Sequence, residues 1–118
     1  MALTDYTSNP LPWYHKLIYQ DDLKYHGMFC LLRTHYNLSS VPEQNHAKAT
    51  KEFFDWIKLQ LQQHGIIDWL NENDIGLQSC HVSVLLDPGP WQLRVVVLID
   101  LPKELRTMYT LRFKGEIF

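Results

Sequence analysis

The chain has 118 residues, of which 46% are hydrophobic and 20% are charged, and this composition is typical of one globular domain. It excludes collagen-like, coiled-coil and intrinsically disordered proteins. Eleven Lys and Arg residues against thirteen Asp and Glu residues give a formal charge of −2, which argues against strong sequence-independent binding to DNA or to anionic lipid. The longest apolar runs, Met28–Leu32 and Val95–Ile99, have five residues each and are too short to span a membrane.

The first twelve residues are predicted to form an extended N-terminal arm. They show no apolar periodicity, and Pro10 and Pro12 disfavour helix at the residues before them. The apolar segment of a secretion signal is missing from the start of the sequence, so we expect a cytoplasmic protein. Residues 13–118 are expected to form a single domain.

The segment from Trp13 to Tyr36 is rich in aromatic residues and admits two interpretations. A helix is favoured because apolar side chains recur at helical spacing, with Asp21 or Asp22 as the N-cap. These side chains are Tyr25, Met28, Phe29, Leu32 and Tyr36. Gly27 and the apolar run at 28–32 instead suit a strand that is buried on both faces. We predict the helix.

The longest predicted helix runs from Val41 to His64. Ser40-Val41-Pro42-Glu43 has the form of a capping box with proline in the first turn, and Gly65 supplies a C-terminal stop. The side of this helix that faces the core carries Thr50, Phe53, Phe54, Trp56, Ile57 and Leu61. A short second helix is predicted from Ile66 to Asn71.

Two predicted strands, Leu77–Leu86 and Trp91–Asp100, form a β-hairpin around the loop Asp87–Pro90. We predict that Leu86 faces Trp91, which sets the remaining cross-strand pairs. The core face of the hairpin then carries Cys80, Val82, Val84, Leu86, Trp91, Leu93, Val95 and Val97. The other face is partly polar and pairs Leu85 with Gln92, Ser83 with Arg94, His81 with Val96 and Ser79 with Leu98.

The C-terminal segment also admits two interpretations. Asp100 as an N-cap and Pro102 in the first turn favour a helix from Leu101 to about Tyr109. The alternation of Tyr109, Leu111 and Phe113 with polar residues suits a strand. In either case we predict an α+β fold, a single compact domain in which the long helix packs on an antiparallel sheet centred on the hairpin.

The ending DLPKELRTMYTLRFKG, residues 100–115, places an Asp/Pro turn after a strand and an aromatic-x-Leu-basic-aromatic pattern before a glycine. It resembles the endings of small uncharacterised proteins of tailed phages, from which it departs by carrying Lys114 before Gly115. The resemblance implies a bacterial or phage-infected cytoplasm. It brings no activity and no catalytic residue with it.

The partly polar face of the hairpin carries the leading functional prediction. His81, Ser83 and Arg94 share this face, where a guanidinium and a hydroxyl suit a phosphate or a carboxylate. Three further residues give it more apolar surface than a solvated face needs, namely Leu85, Val96 and Leu98. We therefore predict a binding or assembly module that associates with itself as a homodimer, with another protein as the alternative partner.

Aromatic and basic residues interleave in the N-terminal third, as in proteins that stack bases and pair with phosphates of a single strand. The residues are Trp13, Tyr14, His15, Lys16, Tyr19, Lys24, Tyr25, His26, Arg33, His35 and Tyr36. Single-stranded nucleic-acid binding through Trp13, His15 and Lys16 is therefore the alternative function. A third alternative is an enzyme that acts on a small anionic substrate at the hairpin face.

The sequence contains no recognisable catalytic or metal motif. The six histidines do not pair at a metal-binding spacing, and neither phosphate-binding glycine motifs nor a GxSxG motif is present. Cys30 and Cys80 are expected to be buried free thiols in a reducing compartment. Cys80 and His81 are adjacent on a predicted strand, so their side chains are expected to point to opposite faces. We predict no catalytic residue, no metal and no cofactor.

Overall fold

The computed structural model describes residues 12–18, 27–38 and 45–113. The helices in this part of the chain are α1 (His15–Ile18), α2 (His46–Gln63), α3 (Ile66–Glu72) and α4 (Lys103–Phe113), and a 3₁₀ turn spans Leu77–Ser79. The strands are β1 (Phe29–Asn37), β2 (His81–Asp87) and β3 (Gln92–Ile99). The predicted α+β fold, with a long helix on an antiparallel sheet, is confirmed. Most of the predicted arm lies outside the described residues.

β3 is the central strand of an antiparallel sheet with the order β1-β3-β2. β2 and β3 form the predicted hairpin, in which Leu86 pairs with Leu93. The predicted pairing of Leu86 with Trp91 is wrong by two residues, because Trp91 remains in the turn with a φ of 55°. The predicted strand also begins too early, since Leu77–Ser79 is a 3₁₀ turn. A shift of two residues leaves each paired side chain on its predicted face.

The segment predicted as a helix ending at Tyr36 contains a β-strand instead, so that prediction is wrong. β1 pairs with β3 over residues Phe29–Asn37, and it follows Gly27, whose φ is 83°. The residues proposed as the N-cap of that helix, Asp21 and Asp22, lie outside the described residues. The strand alternative was correct for Phe29–Tyr36, although this strand is not buried on both faces, whereas His15–Ile18 near the start of the segment is helical.

A β-bulge at Leu31 decides which β1 side chains lie on each face of the sheet. Cys30 pairs with Leu98, and Leu32 pairs with Val97, which is adjacent to Leu98 in β3. Leu31 is thus the extra residue, and both leucines are buried. Without the bulge, strict alternation would turn every later side chain of β1 to the opposite face. The doubled leucine also breaks the alternating pattern that identifies a half-buried strand.

α2 is the predicted long helix, but it begins at His46 rather than at Val41. Asn45 is its N-cap, with an extended backbone and a side-chain oxygen that accepts a hydrogen bond from the backbone N–H of Lys48 at 3.1 Å. The predicted capping box lies outside the described residues. Gly65 adopts the left-handed conformation, with a φ of 74°, and separates α2 from α3.

α4 resolves the second undecided segment, because residues Lys103–Phe113 are helical. Arg106 holds the start of this helix against the sheet. Its guanidinium donates hydrogen bonds to the carbonyl of Leu101 at 2.7 Å and to the carbonyl of Gly27 at 2.9 Å. Further along α4, the Tyr109 hydroxyl donates a hydrogen bond to a β1 carbonyl, that of Leu31.

The core lies between one face of the sheet and the helices α2, α3 and α4. Large side chains from every layer are fully buried there, namely Leu31, Leu32, Phe53, Leu61, Ile66, Leu70, Leu93, Val95, Val97, Ile99 and Tyr109. No charged side chain of the described residues is buried. The other face of the sheet is consequently the one where the charged strand residues are found.

Candidate functional site

We call the sheet surface opposite the helices the open face. The strand register assigns to it Cys30, Arg33, His35 and Asn37 of β1, His81, Ser83, Leu85 and Asp87 of β2, and Gln92, Arg94, Val96 and Leu98 of β3. Leu85 is 47% exposed, and Val96 and Leu98 are half-buried. None of these three is among the described hydrophobic side chains that pack against the core.

The predicted site residues His81, Ser83 and Arg94 all lie on the open face, on neighbouring strands. The predicted direct pairing of Ser83 with Arg94 is wrong, because Val96 lies opposite Ser83 and Leu85 lies opposite Arg94. The same shift of two residues places His81 opposite Leu98 rather than opposite Val96, its predicted partner. Ser83 and Arg94 are instead diagonal neighbours, a relationship in which Cα atoms are about 7 Å apart.

Two basic residues that sequence reasoning did not assign to the open face reach it from β1. His35 pairs with Arg94, and Arg33 pairs with Val96, one step diagonally from Arg94. We call Arg33, His35 and Arg94 the basic corner. Arg33 and His35 were assigned to a helix, so no signal in the sequence connected them with the hairpin.

A basic and an acidic residue flank the apolar open-face residues of β3, and the acidic one lies just beyond the end of the strand. Arg94, Val96 and Leu98 are successive side chains on this face, and Asp100 is the next residue in the same alternation. The Asp100 side chain is 86% exposed and lies 3.8 Å from the guanidinium of Arg106. An exposed ion pair of this length contributes little to stability, so Asp100 can pair with another cation at low cost.

A second surface, the N-terminal cleft, lies between α1 and the first turns of α2; it has a volume of about 590 Å³ and is open to solvent. It brings together the predicted binding residues Trp13, His15 and Lys16. Four residues of α2 that sequence reasoning missed also line the cleft, namely His46, Ala47, Thr50 and Lys51. They lie about thirty positions further along the chain, so only the tertiary fold shows that they belong to the same surface.

Aromatic rings of the predicted nucleic-acid pattern contribute to packing. Tyr14 is buried, and the centroid of the Tyr36 ring lies 5.0 Å from that of Phe53. Trp13 packs against the same ring at 5.6 Å and also lines the N-terminal cleft. Tyr19 and Tyr25 lie outside the described residues. The side chains of Tyr14 and Tyr36 therefore pack mainly in the core.

Cys80 has the surroundings of an unreactive thiol. It packs against the core, whereas the adjacent His81 lies on the open face, so the two side chains point in opposite directions. Burial raises the pKa of the Cys80 thiol from 9.0 to about 11. A nucleophilic cysteine needs the opposite shift, because the thiolate is the reactive form.

We expect iodoacetamide to alkylate Cys80 roughly tenfold to a hundredfold more slowly in the folded than in the unfolded protein near neutral pH, since each pKa unit lowers the thiolate fraction about tenfold. The rate is measured by mass spectrometry on a Cys30→Ser variant, in buffer and in urea. Equal rates in the two conditions would contradict the burial of this thiol.

The described residues contain no group of three His, Cys, Asp or Glu side chains arranged to hold a metal ion. None of the helices in this part of the chain is both long and apolar enough to cross a membrane. No protein-family model, no curated protein and no solved structure matches the chain. Any assignment of function therefore rests on the geometry of the open face and of the N-terminal cleft.

Proposed function

We propose that this protein is a binding module that assembles as a homodimer, with the open faces of two copies packed together. The observation that carries the proposal is the order of residues along β3 and just after it, where Arg94 and Asp100, the residue that follows the strand, stand on either side of Val96 and Leu98. A surface with a cation at one end, an anion at the other and apolar residues between them is complementary to a second copy turned end to end.

A twofold axis that lies between the two open faces and runs across the strands at the level of Val97 generates this pairing. It sets Val96 of one copy against the partner's Leu98, and Arg94 against the partner's Asp100, each contact occurring twice. On β2 the same operation sets Ser83 against the partner's His81, and a hydroxyl and an imidazole can form a hydrogen bond. The three hairpin residues singled out in the sequence thus enter one interface.

The size of the open face limits the affinity of such a dimer. Three strands about 4.8 Å apart and about seven residues long cover roughly 350 Å² in projection. Standard stable interfaces bury about 800 Å² on each partner. We therefore expect a weak dimer, so that association depends on protein concentration.

The setting that we propose is the cytoplasm of a bacterium or of a phage-infected cell. Cys30 and Cys80 are free thiols, which persist in reducing compartments. The resemblance of residues 100–115 to phage proteins supports the same setting.

A charge-reversal pair tests the dimer. Arg94→Asp is expected to raise the dimer Kd at least about tenfold, because the new carboxylate would face the partner's Asp100. Asp100→Arg is expected to do the same by opposing two guanidinium groups. An equimolar mixture of the two variants is expected to associate again, since each copy then offers the charge that the other lacks. Sedimentation equilibrium at several protein concentrations measures all three cases.

Lys58→Glu is the matched control, because it makes the same change of charge on an exposed residue of α2, away from the open face. Its Kd is expected to equal that of the unmodified chain, and circular dichroism verifies that every variant is folded. A chain that stays monomeric at millimolar concentration would contradict the proposal. So would a mixture of the two reversed variants that fails to associate.

A further inference from the structure

The N-terminal cleft has the dimensions and lining of a small-molecule site, separate from the open face. Its volume of about 590 Å³ lies within the range of pockets that hold small ligands, roughly 300–1,000 Å³. Trp13, Leu17 and Ala47 supply apolar lining. Small-molecule sites commonly combine such apolar lining with a few polar groups that fix the orientation of the ligand.

The polar groups of the cleft are all basic or neutral. Lys16 and His15 come from α1, His46 and Lys51 come from α2, and Thr50 adds a hydroxyl. Among the described residues, none of those that line the cleft is Asp or Glu. The described lining, with two ammonium groups and no carboxylate, is complementary to an anion.

Lys51 already contacts Asp55, and this contact bears on whether its ammonium group can bind a ligand. The two groups are 3.0 Å apart, with side chains that are 80% and 54% exposed. Exposed pairs at this helical spacing contribute only a few tenths of a kcal/mol. The ammonium group of Lys51 can therefore turn to an anion in the cleft at little cost.

We propose that the N-terminal cleft binds a small organic anion, in which a phosphate or carboxylate is attached to an apolar or aromatic body. The anion pairs with Lys16 and Lys51 and can accept a hydrogen bond from Thr50, while the body packs against Trp13 and Leu17. The two lysines carry the specificity for charge. The proposal is independent of the homodimer, because the cleft and the open face share no residue.

Phenyl phosphate is the probe, since it combines an aromatic body with a phosphate. Heteronuclear NMR on isotope-labelled protein is expected to show saturable shifts that are confined to α1 and to the first turns of α2. Inorganic phosphate and phenol, which each lack one half of the probe, are expected to bind at least about tenfold more weakly, a difference of about 1.4 kcal/mol. Phenol binding as tightly as phenyl phosphate would overturn the anion requirement.

The double variant Lys16→Ala with Lys51→Ala is expected to weaken phenyl phosphate binding at least about tenfold. The matched control is Lys58→Ala with Lys103→Ala, which removes the same charge from exposed residues outside the cleft and is expected to leave binding unchanged. Equal weakening in both double variants would overturn the site and leave only general electrostatic attraction. A single-stranded thymidine oligonucleotide that binds the same residues far more tightly than phenyl phosphate would overturn the small-ligand class.

Discussion

Replacing Phe53 by Ala is expected to lower the free energy of unfolding by about 4 kcal/mol. The Phe53 side chain is 0% exposed. The rings of Trp13, Tyr36 and Phe54 lie 5.6, 5.0 and 5.4 Å from it, centroid to centroid. Truncation removes the transfer free energy of the ring and leaves a cavity that three bulky neighbours cannot readily fill. Urea denaturation measures the loss as a lower midpoint at an unchanged slope.

Leu59→Ala is the matched control, because Leu59 lies on the same helix but is 46% exposed. We expect it to change the free energy of unfolding by about 0.5 kcal/mol or less, as is usual for surface positions. If the two substitutions cost the same, the loss would reflect the helix as a whole, and the packed ring cluster around Phe53 would be contradicted.

The elements that could be predicted from the sequence are those with signals inside a short stretch of chain. Phe53, Ile57 and Leu61 recur at helical spacing and are all buried in α2. Val95 and Val97 alternate with exposed or half-buried neighbours in β3, as a strand with one core face requires. Such local patterns were sufficient for the helix, for the hairpin and for the fold class.

The errors arose where the chain departs from regular geometry. Leu31 is an extra residue in β1, so the apolar pattern on either side of it no longer alternates. Trp91 stays in the turn with a positive φ, a conformation that is rare for a bulky residue and that no propensity scale predicts. The first departure led to the prediction of a helix where the structure has a strand. The second led to a predicted hairpin register that differs from the observed one by two residues.

The candidate sites were predictable only within single elements. His81, Ser83 and Arg94 were found together because one hairpin carries them, and a register shift of two preserves their face. Arg33 joins them through the pairing of β1 with β3. Lys51 joins Lys16 through the packing of α1 beside α2. Contacts between residues so distant in sequence depend on tertiary structure, and one sequence without homologues carries no signal for them.

Tyr109 connects α4 to the irregular part of β1. Its side chain is 0% exposed, and its ring lies 5.3, 5.0 and 4.4 Å from the rings of Phe29, Trp69 and Phe113. Its hydroxyl donates a hydrogen bond to the carbonyl of Leu31, the extra residue of the bulge. The bulge directs Arg33 and His35 to the open face, so this hydrogen bond supports the geometry of the basic corner.

Tyr109→Ala is expected to lower the free energy of unfolding by about 3–5 kcal/mol, because it removes a ring at the centre of an aromatic cluster. Tyr109→Phe keeps the ring and removes only the hydroxyl. We expect it to cost about 1–3 kcal/mol, since the buried carbonyl of Leu31 loses its donor. Urea denaturation measures both. A Tyr109→Phe variant as stable as the unmodified chain would contradict a supporting role for the hydroxyl at the bulge.

The pH dependence of stability gives a second test of the same hydroxyl. Burial raises the pKa of Tyr109 above its ordinary value of 10.0, and the thiolates of Cys30 and Cys80 add to the shift. The hydroxyl ionises near pH 10 in the unfolded chain and only at a higher pH in the folded protein. Its contribution to stability is therefore complete below pH 10 and is lost as the pH rises towards the pKa of the folded state. The stability difference between the unmodified chain and Tyr109→Phe is therefore expected to narrow above about pH 10.

Cys80 loses its own contribution to stability between about pH 9 and pH 11 in both proteins, so to first order this loss cancels in the comparison. A difference that stays constant up to about pH 11 would contradict the burial of the hydroxyl.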